Sequence, residues 1–347
     1  MNQPLVSVIL VTYNSEKYLD NCLKSVFKNK YSNFETIIVD NNSSDNTQSI
    51  IKEYKKKYPT KIKAIFEKKN LGYSIANNLA VNYSTADFVF ILNPDTIVSQ
   101  DFLTPLMQEI EKENIAAVQP LVYLFDKKTI NLSGKVTQFI GFDWLKDFKA
   151  RSVPKKQRIY SFSGSGVLIN KNYFLLAGGF DELYFMYYED SDLSWKFNLL
   201  DKKIIFTPES ILFHDYKYKP EEKYQSFKQK LFYIERNRLI TVLKNYSLTT
   251  LLLLLPIILF MEVGLILFAF YEGWGFKKLQ TYLSIFNNFK IIYKNRQFIQ
   301  SKRIISDRKI LQNLESKITF EKFSNVLIKH LVNPIFEIYF NIIKKII

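Results

Sequence analysis

Short apolar runs alternate with amphipathic helical stretches from residue 5 to 120, and this alternation narrows the possible folds more than any other property of the chain. Val6 to Val11, Phe34 to Val39, Ile62 to Glu67 and Phe88 to Leu92 read as strands. Helices are predicted between them, over about Glu16 to Lys28, Thr47 to Tyr58 and Tyr73 to Asn82. Leu19, Cys22, Leu23 and Val26 fall on one face of the first, and Ser43, Ser44 and Asp45 supply caps for the second. Short turns from strand to helix imply right-handed crossovers and a parallel sheet. Ligands of such sheets bind beyond the carboxyl ends of the strands. The pattern turns irregular from about Leu121 to Ser161. It resumes with a strand at Val167 to Ile169, a helix opened by the acidic residues at 189–192, and a strand from Lys203 to Phe206 leading toward His214.

The 347 residues, 47% of them apolar, suffice for one large domain with an appendage or for two domains. The net charge of +15 is uneven. From Phe276 onward 14 Lys and Arg face 4 Asp and Glu, so the remaining 275 residues carry only +5. A basic tail suits nucleic acid, anionic lipid or a solvated surface. Here it lies beside an apolar segment, which favours lipid, and no nucleic-acid partner is expected. The single cysteine, Cys22, excludes an intramolecular disulfide and reads as a buried, inert thiol. The chain opens directly into a strand rather than a signal peptide, so the N-terminal domain is expected to face the cytoplasm.

Leu248 to Tyr271 is the membrane candidate: 24 residues span about 36 Å as a helix, against a hydrocarbon core of about 30 Å. Pro256 and Glu262 interrupt it, and a central Glu is expensive in lipid unless paired. A single span would also put the basic tail opposite the N-terminal domain, against the positive-inside tendency. A re-entrant or interfacial hairpin is therefore preferred to a clean span or a buried soluble helix. Leu331 to Ile347, ending in Lys344 and Lys345, reads as an interfacial helix or a helix packed on the domain.

Five segments carry candidate chemistry. After strand 1, Tyr13 can stack on a base while Thr12 and Asn14 offer hydrogen bonds, although turn chemistry explains Asn14 equally well. After strand 2, Asp40 can accept from a base imide or a ribose hydroxyl, and Asn42 lies in the same turn. The run from Asn70 through Gly72 to Asn77 offers close backbone approach and free helix-start amides to a phosphate. After strand 4, Asn93-Pro94-Asp95-Thr96 puts a carboxylate at the same crevice. Beside a diphosphate such a carboxylate implies a bridging Mg²⁺ or Mn²⁺. Finally, Glu189, Asp190 and Asp192 crowd three carboxylates into four positions, suited to a general base, a metal site or an acidic helix start.

Taken in order, Val6 to Asn14, Ile38 to Thr47, Asn70 to Asn77, Asn93 to Thr96 and Glu189-Asp190 resemble a family 2 inverting glycosyltransferase with a GT-A fold. The resemblance covers roughly residues 4 to 240 and is nearest to the rhamnosyltransferase-like branch. That branch is suggested by Ser163 to Ile169 and Gly178 to Glu182 leading into Tyr188 to Leu193. It implies an α/β catalytic domain at 1–240, with a mostly parallel mixed sheet flanked by helices, and a helical, membrane-associated region at 241–347. It implies Asp190 as catalytic base, with Glu189 and Asp192 as supporting charges or helix-start pairs. Thr12, Tyr13, Asn14, Asp40, Asn42, Asn70, Gly72, Asn77 and Asn93 would hold a nucleotide-diphosphate sugar. Asp95 would hold the metal; Asn93 replaces the first Asp of the family's DXD motif, which puts the tightness of metal binding in doubt. His214 matches a histidine that joins the metal or diphosphate in some members, or is a polar strand end. Gly164 and Gly166 would form an acceptor-side loop. Arg236, with Asn237 and Arg238, would meet a lipid diphosphate or form a charged helix face.

The expected reaction moves a sugar, rhamnose favoured, to a lipid-linked saccharide on the cytoplasmic face of the membrane in cell-surface polysaccharide synthesis. Another hexose, galactofuranose and a catalytically degenerate sugar-nucleotide binder are the alternatives. A nucleotidyltransferase would need a glycine-rich basic loop after strand 1, and Thr12-Tyr13-Asn14-Ser15-Glu16 is neither.

Overall fold

The computed structural model describes residues 3–215, 224–320 and 326–347. They divide into two compact units. The first comprises residues 1–135, 145–197 and 202–217, and the second 136–144, 198–201 and 218–347.

The first unit opens with β1 (Val6–Thr12), α1 (Glu16–Phe27), β2 (Phe34–Asp40), α2 (Thr47–Lys57), β3 (Ile62–Phe66), α3 (Gly72–Tyr83) and β4 (Phe88–Leu92). Every element expected from periodicity in this stretch is present. These strands are parallel in the order β4-β1-β2-β3. β1 is buried at all seven positions, as a strand covered on both faces must be. Then follow β5 (Thr96–Val98), α4 (Leu103–Ile110), β6 (Ile115–Leu124), β7 (Ile130–Leu132), β8 (Lys135–Thr137), β9 (Asp143–Leu145), β10 (Gln157–Ile159), β11 (Gly166–Asn170), α5 (Lys171–Leu176), α6 (Glu189–Leu199) and β12 (Lys203–His214). β11 joins antiparallel between β4 and β6, and β12 lies beyond β6, so the sheet is mixed but mostly parallel in its first half. Leu19, Leu23 and Val26 of α1, Ile51 of α2, and Leu103 and Leu106 of α4 pack with Val8, Leu10 and Ile38 in one apolar cluster.

The stretch that reads as irregular contains a central strand. β6 is buried at its first eight positions, but Ala116, Ala117, Gln119 and Pro120 give it no β-branched run. Pro120 cannot donate to a ladder. Its position coincides with a break in register, where Thr207 pairs with Pro120 and Ile211 with Leu121, so three residues of β12 loop out. That bulge hides the second half of β12 from a periodicity reading, which stops at Phe206.

The second unit contains α7 (Tyr224–Asn245), α8 (Leu248–Tyr271), α9 (Gly275–Asn287), α10 (Phe289–Lys302), α11 (Asp307–Leu311) and α12 (Asn333–Ile346). α8 is one unbroken helix with Pro256 inside it, so the segment itself makes no re-entrant turn. Ser247 caps it by accepting from the Thr250 amide, and Asp307 accepts from the Ser247 amide at 2.8 Å. Glu262 faces protein. Arg238 and Lys278 contact it, the latter at 2.8 Å, and the Tyr282 hydroxyl donates to it at 2.6 Å. Glu235 completes the set, 3.0 Å from Arg238 and 2.6 Å from Lys278. Two acids and two bases thus balance inside the unit. The pairing that Glu262 demanded is met within the protein. Arg238 and Asn237, expected to face a lipid diphosphate, are fully buried instead.

Candidate active site

The ends of β1, β2 and β4 converge as the sheet topology requires, and Asp40 lies at the centre of the first loops. Thr12 Oγ1 and Ser43 Oγ donate to its Oδ1 at 3.0 and 2.5 Å. Ser43 N and Gln48 Nε2 donate to its Oδ2 at 3.0 and 2.8 Å. Asp40 and Thr12 are fully buried. Four donors meet this carboxylate, so Asp40 and Thr12 fix the loop that ends β1 and β2. The residue this loop presents is Tyr13, 52% exposed. Asn14, next in the chain, and Asn42 of the following loop have left-handed φ of 49° and 64°, which Asn tolerates. Asn14 Oδ1 accepts from the Ser44 amide at 2.8 Å, tying the two loops together. Asn41, overlooked in the sequence, accepts from Leu71 N and donates to Gly72 O, anchoring the next loop.

Gly72 has φ +80°, and a Cβ there would lie 2.5 Å from Phe185 O. The close approach it permits is to the chain leading into Asp190, not to a phosphate. Gly72 N donates to Asn70 Oδ1 and Tyr73 N donates to Phe185 O, so these two helix-start amides are taken. Asn77, nearly fully buried, donates to Tyr73 O at 2.9 Å and stabilises the same turn. Gly72→Ala should therefore lower stability by about 1–3 kcal/mol and reduce activity through displacement of the 185 loop. Denaturant melts and kinetics on the variant check this; an unchanged midpoint would contradict it.

Asp190 lies in the first turn of α6, which opens at Glu189 directly after Tyr187 and Tyr188, both left-handed at φ 67° and 71°. Consecutive non-glycine residues in that region are strained and persist where the surroundings hold them. Lys135 Nζ lies 2.9 Å from Asp190 Oδ1 and 2.8 Å from Ser191 Oγ. Ser191 N donates to Oδ1 at 2.8 Å and Gly164 N to Oδ2 at 3.0 Å. The carboxylate is thus aimed by an ammonium and two amides. Lys135 was not visible as a partner in the sequence: it lies 55 positions upstream in the irregular stretch. Gly164 and Gly166 are also reassigned. Gly164 holds Asp190 and accepts from the Tyr73 hydroxyl at 2.8 Å. Gly166 sits inside β11, where a Cβ would meet Leu212 at 2.2 Å, so it serves packing rather than a sugar. Asp192 is fully buried and pairs with Lys196 at 2.8 Å, a structural role. Glu189 is buried at the helix start. Burial, then the charges of Glu189, Asp190 and Asp95, push the Tyr73 hydroxyl well above its ordinary pKa. Tyr73 is thus tied through Gly164 to the loop that holds Asp190.

The second acidic group comes from β4's end. Asn93 N donates to Ser165 O at 3.2 Å. The pairing of β5 with β12 places His214 opposite Thr96, and His214 Nε2 reaches 3.3 Å from Asp95 Oδ1. His214 Nδ1 lies 3.0 Å from Asn131 Oδ1, a contact that would orient a liganding imidazole. Apart from that imidazole, Asp95 Oδ1 is buried without a hydrogen-bond partner, as is Asn93 Oδ1. Orphaned oxygens beside an imidazole fit a hard divalent cation. Among the described residues no three His, Cys, Asp or Glu cluster as a complete cage, so further ligands would come from substrate and water. Cys22 is fully buried, and burial, then Asp95, push its thiol up, leaving it inert. Arg236 lies in the second unit on α7, with its guanidinium over the Phe232 and Tyr233 rings and its Nε donating to Asn237.

Known proteins share both sequence and fold with this chain. Residues 7–175 match the sequence model of glycosyl transferase family 2. Glycosyltransferase GlyG of Streptococcus pneumoniae is 24% identical over 212 residues, covering 60% of this chain and 69% of that protein. Poly-beta-1,6-N-acetyl-D-glucosamine synthase of Staphylococcus epidermidis is 28% identical over 207 residues, covering 59% of this chain but only 48% of the synthase. Among solved structures, GalNAc-T7 with UDP, GalNAc and Mn²⁺ superposes with a TM-score of 0.56 at 16% identity, over 70% of this chain and 48% of that one. The chain thus carries a glycosyl transferase family 2 domain in a GT-A fold and is a glycosyltransferase.

Proposed function

We propose that the enzyme transfers a sugar with inversion from a nucleotide-diphosphate donor to a hydroxyl of a membrane-linked saccharide, in cell-surface polysaccharide synthesis. The observation that carries this reading is an aimed carboxylate, Asp190, held by Lys135 and Gly164, together with a second carboxylate, Asp95, set against His214 in the loop whose Asn93 amide bonds Ser165. Tyr13 stacks on the donor base, on the loop that Asp40 fixes. Asp190 takes the proton of the acceptor hydroxyl as that oxygen attacks the anomeric carbon. One base and no covalent enzyme intermediate give inversion. Asp95 and His214, with Asn93 beside them, hold a divalent cation. When bound, that cation supplies charge compensation for the departing diphosphate. The Mn²⁺ in the GalNAc-T7 structure supports this choice.

The synthase relative makes a polysaccharide of N-acetylglucosamine by its name, which supports a saccharide acceptor. The segment from Gly178 to Leu193 supports deoxythymidine-diphosphate rhamnose as donor, with uridine-diphosphate hexoses and galactofuranose as the alternatives. The apolar α8 and the basic tail support the cytoplasmic membrane surface as the site of work. A screen of nucleotide sugars for hydrolysis and transfer, with and without Mn²⁺, tests the reading. Turnover of one donor is expected; no turnover of any donor, with or without metal, would refute it. Asn131→Ala should weaken Mn²⁺ activation by about 10–100-fold, because the imidazole loses the group that orients it. An unchanged Mn²⁺ titration would remove His214 from the metal's ligands.

A further inference from the structure

All but seven of the exposed large apolar side chains among the described residues lie at position 243 or beyond. α8 carries ten of them, more than any other element. Its outward residues include Leu252, Leu255, Leu259, Val263 and Leu267, between 46% and 68% exposed. The single charged residue of this 24-residue helix, Glu262, points the other way. A face about 36 Å long thus meets solvent with no charge on it. Soluble surfaces rarely leave such a patch uncovered.

The opposite face of α8 is buried along its whole length, from Thr250 through Leu254, Ile257, Met261 and Leu265 to Ala269. It packs against α9 and α12, and Tyr339 of α12 donates to Leu253 O at 2.6 Å. Lys278 reaches Glu262 at the middle of α8, so α9 runs back beside it. Crossing a bilayer would carry α7 and α9 into hydrocarbon, with Arg236, Lys244 and Lys277 on them. Each such charge is costly at mid-membrane. Lying in the interface exposes only the apolar face to lipid and leaves the charged helices in water. The excess of ten positive charges after residue 275, including exposed Lys290 and Lys294 on α10, selects the chemistry of the surface. Each basic residue near an anionic membrane contributes about 1 kcal/mol.

We propose that the second unit docks in the plane of an anionic lipid monolayer through the outer face of α8, without crossing the bilayer. The proposal deepens the membrane-linked reading above and rests on it for its setting. Its readouts are lipid binding and chemical labelling, so it can fail while glycosyl transfer stands, and the reverse.

Flotation of the full chain with vesicles tests it. Binding to vesicles containing phosphatidylglycerol is expected to exceed binding to pure phosphatidylcholine by about tenfold or more, as two or more basic contacts require. Leu259→Glu with Val263→Glu should reduce vesicle binding at least about tenfold. Lys290→Glu with Lys294→Glu, which leaves α8 untouched, should weaken binding to the anionic vesicles alone. Leu248→Cys and Tyr271→Cys mark the two ends of α8, and buried Cys22 gives no background. An impermeant maleimide added outside should label both ends. One end protected until detergent is added would show a span and overturn the proposal. So would equal binding to both lipids, or a soluble dimer that Leu259→Glu with Val263→Glu dissociates.

Discussion

Asp190→Asn lowers glycosyl transfer by about 10²–10⁴-fold, the usual contribution of general-base assistance, while donor binding stays near its original strength. The reason is local. Gly164 N, Ser191 N and the Lys135 ammonium all direct hydrogens at Asp190. An amide has one acceptor oxygen, so its NH₂ group must face one of these donors. The variant loses both its basicity and its aim. Tyr13 and the Asp95–His214 pair, which the proposal assigns to the donor, are untouched by the change. Transfer kinetics beside calorimetric titration of the nucleotide with Mn²⁺ separate the two effects. Transfer retained at more than about a tenth of the original rate would remove Asp190 as the base. Lys135→Met, assayed alongside, keeps the carboxylate but drops its ammonium partner, and should fall between the parent and Asp190→Asn.

The second large effect concerns stability. Arg238→Met should destabilise the full chain by about 3–5 kcal/mol, because it leaves Glu235 and Glu262 buried against a single Lys278. Adding Glu262→Leu should recover much of that loss, since the Glu235–Lys278 pair then stands alone and neutral. Denaturant unfolding in detergent measures both; a double variant no better than the single one would show that Arg238 matters for its packing on Phe142 rather than for charge. The same network predicts an acid limit. Burial pushes the Glu262 carboxyl up, but Arg238 and Lys278 pull it down further, to about 2 from an ordinary 4.5. Burial acts on Glu235 likewise, and Arg238 and Lys278 leave it lowered. A depressed carboxyl stabilises the fold above its unfolded value. That stabilisation drains away as pH falls from about 4.5 toward 2.

Much of this architecture was legible in the chain. The strands at Val6, Phe34, Ile62 and Phe88 are apolar and separated by helices of helical period, so their periods agree with their final positions. The order of the loops after them located the crevice. The central strand β6 was not legible, because alanines, Gln119 and Pro120 mask a buried strand that its neighbours define. The roles of the glycines misled for a related reason. A glycine announces a close approach but not what approaches, and Gly72 and Gly166 make room for Phe185 and Leu212. Lys135 and Arg238 were missed as partners because long-range charge pairing leaves no local pattern. Glu262 did announce its need for a partner, being the single acid in an apolar run, without saying which residues would meet it.

The three residues of β12 that loop out between Thr207 and Ile211 have a consequence for how this site tolerates change in length. Side chains of a strand alternate between faces with a period of two, but residues that loop out stand outside that alternation. The pairing of Ile211 with Leu121 and of His214 with Leu124 restarts it after the bulge, so β6, and not the number of looped residues, sets the side on which the imidazole meets Asp95. Insertion or loss of one residue within the loop should leave that side unchanged. The bulge is thus the point on β12 where length can vary without reversing the histidine.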